Sequence, residues 1–407
     1  MRKAYLYTPI PPARTGTADY FDTVLSEISK ALVPPEQIRI VVGDDQEELA
    51  LTNARVHGYA IQHYRTVPNV LRADELRVFF LANNTFHLFI HRALHDVRKR
   101  AGKGKVVSVV HEPSCFMLMN AAGANGWAGF TDDDLHRSMI DQFGASANSL
   151  LHGRRRDLLP QESEFWITAL GHALRNSDEI WTHSRFAELK LRLETHGRRK
   201  APRFVVSKHP DHPGSQAATT TLASHDYSAN KRLEIGVFGW VTPPKRTEAI
   251  LTGLAMALQT VTPARRAEIR MNVVGEIPKG SFDPIDFANR LGLQDVVRFT
   301  GYVSRQDLET HIQRSSLVFN LRFPSCGESS GTLQRAIDAG IPIVTSDYQA
   351  FREAPAAFFV PVMPELELAA IFAVFHSAFH GQLQLKNRPA SERRKEVSQL
   401  IIEELST

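Results

Sequence analysis

The 407-residue chain contains only two cysteines, Cys115 and Cys326. That scarcity excludes a disulfide-built scaffold and a cysteine-rich zinc module, and it suits a reducing compartment. Long apolar runs are also missing. Stretches such as Val78–Leu81 and Ala369–Phe375 are among the longest, far short of the roughly 20 residues of a membrane span. The first residues, MRKAYLYTPIPPARTG, carry early positive charge without the apolar core of a secretion signal, so a cytoplasmic location is expected. The 17 histidines include no HExxH metal pattern. No nucleic-acid recognition motif and no short-period repeat are present. With 24 glycines and 22 prolines the chain is neither collagen-like nor of low complexity.

What is present is an ordinary globular composition, 43% hydrophobic and 23% charged, at a length that suggests two or three domains. The formal net charge is +4, unevenly spread. Residues 1–210 hold 28 Lys and Arg against 23 Asp and Glu, and residues 211–407 hold 20 against 21. A basic first half suits a surface that meets anionic headgroups or an acidic acceptor. Arg154, Arg155 and Arg156 belong to this excess, and a solvated face is the better reading for them.

Short apolar runs alternate with helical patterns through both halves. Strands are expected at Lys3–Thr8, Gln37–Val42, Arg77–Leu81, Val106–Val110 and Ile180–Thr182, with a helix from Asp19 to Ala31. The stretch His209–Asn230 is rich in Pro, Ser, Thr and Ala and reads as an interdomain connection. The alternation then restarts. Strands are expected at Leu233–Phe238, Arg270–Val274, Val296–Thr300, Leu317–Leu321 and Ile341–Thr345, with helices between them and a charged helical tail. The predicted fold is α/β, two doubly wound Rossmann-like domains. The expected bounds are 1–210, 211–385 and a helical tail over 386–407. Ligands of such sheets bind at the carboxyl ends of the strands.

The most informative segment is Val318–Asp347, VFNLRFPSCGESSGTLQRAIDAGIPIVTSD. A strand leads through Pro324, Cys326 and Gly327 to Glu328, then to Ser329, Ser330, Gly331 and Thr332 at a helix start. The backbone N–H groups and the helix dipole there favour a phosphate, and Gly331 permits close approach. Glu328 can accept hydrogen bonds from sugar hydroxyls. The same residues would also serve as an ordinary serine N-cap with an acidic neighbour, and both readings stand at this level.

This segment resembles the carboxyl-half signature of retaining glycosyltransferases of the GT-B fold, family four, and more closely a bacterial subgroup with LR-x-P-x-x-GE-x-SG. Other stretches resemble the same group in collinear order over about 5–355: Pro9–Tyr20, LANNTFH at Leu81–His87, VVHEP at Val109–Pro113, IWTHSRFA at Ile180–Ala187, GVFGWVTPPKR at Gly236–Arg246, FTGYV at Phe299–Val303 and SDYQAFREAP at Ser346–Pro355. The resemblance implies two facing domains with the reaction in an interdomain cleft. It implies His111, Lys245 and Glu328 as catalytic groups. His111 would lie beside the donor sugar, Lys245 would neutralise the diphosphate, and Glu328 would hold sugar hydroxyls and the positive transition state. It places Gly16, Thr17, Gly239, Ser329, Ser330, Gly331 and Thr332 around the donor phosphates. Tyr302 and Val303 would lie against the base, with Asn83, Asn84 and His87 on the acceptor side or behind His111. A strand-end histidine and a solvated loop lysine remain ordinary alternatives for His111 and Lys245.

The implied chemistry is transfer from a nucleotide sugar with retention, without metal or other cofactor. The acceptor would be a glycan, lipid-linked as in O-antigen, capsule or exopolysaccharide assembly. The basic half would allow a peripheral contact with the inner membrane face, and no nucleic acid is expected. Three positions depart from the pattern. Ala336 stands where a second, ribose-binding glutamate is common, Trp240 stands where an arginine is common, and Ala82 replaces glycine. Arg246 or Arg322 would have to supply the missing cation. A weakly active or inactive sugar-nucleotide-binding scaffold is therefore the alternative, and an epimerase would need cleft acids beyond Glu328 and Glu112. Asp132–Asp134 resembles a metal-binding DxD motif, but an acidic helix start is the better reading. Cys326 is expected to be a small buried residue, not a nucleophile.

Overall fold

A computed structural model describes residues 2–99, 104–156, 158–195, 201–210, 232–280, 282–355, 357–383 and 394–406. The expected connection at His209–Asn230 lies outside these residues except for His209 and Pro210. The chain divides into two compact units, one of 1–210, Cys326–Ser329 and 393–407, the other of 211–325 and 330–392.

The first unit holds β1 (Lys3–Tyr7), β2 (Ile38–Val42), β3 (Arg55–Val56), β4 (Tyr59–His63), β5 (Val70–Leu71), β6 (Glu75–Leu81), β7 (Arg98–Lys99), β8 (Lys105–Val110), β9 (Glu179–Thr182) and β10 (Arg203–Val206). Eight of them form one sheet in the order β10-β9-β8-β6-β1-β2-β4-β3, parallel except for the β3–β4 pair, while β5 and β7 form a separate two-stranded ladder. Its strands are apolar on both faces, as a sheet covered on both sides requires. Successive side chains alternate between two cores. Leu76, Val78 and Phe80 point into one with Leu6 and Ile40, and Phe79 and Leu81 into the other with Tyr7 and Val41. The last helix, Val397–Ser406, belongs to this unit. Val397, Ile401 and Leu405, spaced by four, enter the first of these cores, and Glu404 accepts from Arg2 at 3.1 Å.

The second unit holds β11 (Leu233–Phe238), β12 (Ile269–Val274), β13 (Val297–Gly301), β14 (Leu317–Asn320), β15 (Ile343–Ser346) and β16 (Ala357–Val360). All are parallel, in the order β13-β12-β11-β14-β15-β16. Counted within the unit this is 3-2-1-4-5-6, the dinucleotide-binding order. Leu233, Ile235 and Val237 face one core and Phe238 the other. Each sheet thus reverses its winding beside its first strand. The switch point lies between β1 and β6 in the first unit and between β11 and β14 in the second. No helix among the described residues is long and apolar enough to cross a membrane.

Candidate functional site

At the first switch point the loop after β1 leads into the helix Gly16–Lys30. Gln46 pins this loop, accepting from Ile10 N–H at 3.0 Å and donating to the Ile10 carbonyl at 2.6 Å. Gly16 opens the helix with free space where a Cβ would stand. Thr17 is held from behind. The Nδ1 of His87 donates to the Phe80 carbonyl at 2.7 Å, so its Nε2 accepts the Thr17 hydroxyl at 2.8 Å. His87 is wholly buried, so it acts as a bracket for Thr17 and offers no surface to an acceptor. Burial lowers its pKa to about 3. Asn83 is held by several hydrogen bonds. Its N–H donates to Glu112 at 2.8 Å, its Oδ1 accepts from Leu118 N–H at 3.1 Å, and its Nδ2 faces the Cys326 sulfur at 3.3 Å. Asn84 is half-buried, and its Oδ1 has no hydrogen-bond partner.

His111 follows β8, its N–H donating to the Leu81 carbonyl at 2.9 Å. Its ring belongs to a buried cluster. Tyr20 lies 4.6 Å from His111, 5.2 Å from His183 and 5.0 Å from His209 between ring centroids, and His111 lies 5.3 Å from His183. Burial, reinforced by the neighbouring imidazoles, holds the His111 pKa well below its ordinary value. The imidazole is therefore neutral at pH 7 and suited to sugar hydroxyls. Glu328 lies in the same unit, half-buried. Its segment is fixed by Ser114 N–H donating to the Cys326 carbonyl at 3.1 Å and Ser329 N–H approaching the His111 carbonyl at 3.4 Å. Gly327 has φ +78°, and a Cβ there would stand 2.6 Å from Pro113 and 2.8 Å from Phe186. The structure thus brings His111, Glu328 and Ser329 together. Cys115 and Cys326 are both buried, and burial pushes the Cys115 thiol well above its usual range, which suits packing and not nucleophilic attack.

In the second unit the loop after β11 carries Gly239, Trp240 and Lys245. The Lys245 ammonium donates to the Phe238 carbonyl at 2.6 Å. It folds over Gly239, whose φ is +88° and whose added Cβ would sit 2.2 Å from Nζ. Across the switch point, Ser330 caps the helix Gly331–Asp338, its Oγ accepting from Leu333 N–H at 3.3 Å. Asn320, at the end of β14, donates to Ser330 at 3.3 Å and to Thr332 at 3.0 Å. Sequence reasoning missed Asn320. Its place at a strand end, ten residues before the serine, was the only available signal. The two loops are tied by Phe323 N–H donating to the Pro244 carbonyl at 2.8 Å. Tyr302, after Gly301, is 59% exposed, and Val303 packs on the core.

The departures now have a physical form. Ala336 is fully buried in the core, so that position cannot address a ribose. Arg246 does not replace the missing cation. It sits at φ +58° and forms a two-pronged pair with Glu367, one bond at 2.7 Å. Arg322 places its guanidinium 5.9 Å from the Phe351 ring centroid. Asp134 and Thr131 form a reciprocal capping box, so the acidic run is a helix start.

Residues 235–372 match the family described as Glycosyl transferases group 1. Among similar solved structures, HepE of Anabaena in complex with UDP is 14% identical, with 100% of each chain covered and a TM-score of 0.55. Sucrose-phosphate synthase from Thermosynechococcus elongatus is 12% identical over 94% of this chain and 92% of that one, at 0.54. WaaG, a glycosyltransferase involved in lipopolysaccharide biosynthesis, is 12% identical over 92% and 90%, at 0.50. No curated protein sequence matches. The chain has the GT-B fold, and the family match falls within its second unit.

Proposed function

We propose that the protein is a retaining, metal-independent glycosyltransferase that moves a sugar from a nucleotide-sugar donor to a glycan acceptor. The observation that carries this reading is the second switch point. One strand-end loop offers the Lys245 ammonium there, and the other offers the N-terminus of Gly331–Asp338 with the Ser330 and Thr332 hydroxyls. An ammonium and a helix N-terminus flanking one crevice suit a diphosphate. The UDP bound to HepE and the UDP-2-fluoro glucose of a trehalose-6-phosphate structure from E. coli support a nucleotide-sugar donor. A lipid-linked acceptor in polysaccharide assembly rests on the family resemblance and the basic first half, with WaaG as a relative in fold.

In this mechanism the diphosphate leaves on the face that the acceptor hydroxyl attacks. Lys245 and the helix N-terminus stabilise the charge that grows on the leaving group. Glu328 stabilises the oxocarbenium-like sugar, and neutral His111 holds a sugar hydroxyl. The departing phosphate oxygen takes the acceptor proton, so the protein contributes positioning and electrostatics.

Calorimetric titration with UDP, GDP, dTDP and ADP, followed by donor hydrolysis assays, tests the reading. Lys245→Ala should weaken diphosphate binding by about 10- to 150-fold, the worth of a hydrogen bond to a charged group. It should leave binding of the bare nucleoside unchanged. Failure of all four diphosphates to bind, or equal affinity in the variant, refutes it. The engagement of Arg246 by Glu367 and the burial of Ala336 favour one second reading, a nucleotide-sugar-binding scaffold. Such a protein would bind a diphosphate yet neither hydrolyse nor transfer the sugar.

A further inference from the structure

The second unit holds a cavity of about 290 Å³ on the loop that carries Lys245 and the first two turns of the following helix, Thr247–Leu258. Pro243, Arg246, Glu248, Thr252, Phe282 and Leu368 are among its lining residues, whereas Lys245, Ser330 and Thr332 are not. The volume is at the lower end of ligand pockets, enough for a single ring and too small for a nucleotide sugar.

Its charges define the guest. Arg246 is consumed by the two-pronged pair with Glu367, which is itself buried. The one exposed charged side chain among the lining residues is the Glu248 carboxylate, and it repels phosphate. A cation is disfavoured by the positive end of the helix. A neutral guest rich in hydroxyls meets neither objection. The Glu248 carboxylate can accept from two neighbouring hydroxyls. Thr252 donates its own proton to the Glu248 carbonyl at 2.8 Å, so its oxygen is left to accept from the guest. The half-buried Phe282 ring, inclined at 64° to Phe287 with centroids 5.2 Å apart, is among the lining residues, and an aromatic ring suits the C–H side of a pyranose.

We propose that this cavity is a subsite for one neutral monosaccharide unit of a glycan, separate from the diphosphate site and joined to it by the Lys245 loop. Binding there does not depend on the protein being an active transferase.

Saturation-transfer NMR on the full-length protein, with methyl α-glucoside, methyl α-galactoside and methyl α-mannoside as probes, tests the proposal. At least one sugar should give signal. Glu248→Gln and Phe282→Ala should each reduce that signal at least fivefold, and Lys245→Ala should retain it. Glu248 is exposed, so its substitution leaves the fold intact, and a thermal melt checks Phe282→Ala. Absence of signal from all three sugars overturns the proposal. So does signal that survives both cavity variants or is lost in Lys245→Ala. Displacement of the sugar by inorganic phosphate overturns the neutral class of guest.

Discussion

Acid should destabilise the first unit steeply, because its buried histidines are neutral. His91 is fully buried. Its Nε2 donates to the Ala82 carbonyl at 3.2 Å, so its Nδ1 accepts from His172 at 3.1 Å. Burial lowers the pKa of His91 to about 4 and that of His87 to about 3. In the unfolded chain both titrate near 6.5. Between these values the unfolded chain holds more protons, so stability is complete above about pH 6.5 and falls as the pH drops toward 4 and 3. From pH 7.5 to 5.0 each histidine removes about 2 kcal/mol, about 4 together, against a typical total of about 5–15 kcal/mol. His111, His172 and His183 are shifted the same way and add to the loss. Urea unfolding from pH 7.5 to 5.0, followed by tryptophan fluorescence, measures it. Trp127, Trp166 and Trp181 lie in the first unit and Trp240 in the second. His91→Gln should flatten the profile below pH 6.5 by about 1.4 kcal/mol per pH unit, whatever it does to absolute stability. A wild-type stability that is constant from 7.5 to 5.0, or a variant with an unchanged slope, refutes the reasoning.

Three substitutions probe the switch points. Gly239→Ala should displace the Lys245 ammonium, which lies 2.2 Å from the new methyl, weakening diphosphate binding about tenfold in calorimetry. The left-handed backbone at that position should cost about a further 1–2 kcal/mol in a thermal melt. Asn320→Ala removes two hydrogen bonds, to Ser330 and Thr332, at about 0.5–1.5 kcal/mol each, and should lower diphosphate affinity with little change in nucleoside affinity. Gly327→Ala drives a methyl against Pro113 and should lower stability by about 1–3 kcal/mol. Because Glu328 is the next residue, donor hydrolysis should fall further than binding does.

What the sequence reveals follows from how far apart the interacting residues lie. The strand β11 was legible to the residue, and β8 and β14 within one position, because a buried parallel strand is a run of β-branched and apolar residues. The cap at Asp134 was legible because Thr131 stands three residues away. The strand Tyr59–His63 was not, since YAIQH has too little apolar pattern. The His111 environment could not be read at all, because its partners are Tyr20, His183 and His209, brought together only by the helix after β1 and the segments after β9 and β10. The tail shows the same limit. Val397, Ile401 and Leu405 announce an amphipathic helix, yet nothing local says that it packs in the first unit.

Arg246 carries this point into function. As a sequence feature it is a basic residue next to Lys245, fit to share the diphosphate. In the fold its partner is Glu367, 121 positions away, and the pair removes one cation from the site. Arg322 stands over an aromatic ring, and Ala336 lies in the core. A near-neutral second half, 20 basic against 21 acidic residues, agrees with this economy. The second switch point presents one ammonium and one helix N-terminus as positive groups, and both are local. Half-buried local charges are screened less by salt than a broad basic surface is. Donor binding should therefore vary weakly with ionic strength. An acceptor drawn in by the basic first half should respond strongly, and the salt dependence of the two Michaelis constants separates the two contributions.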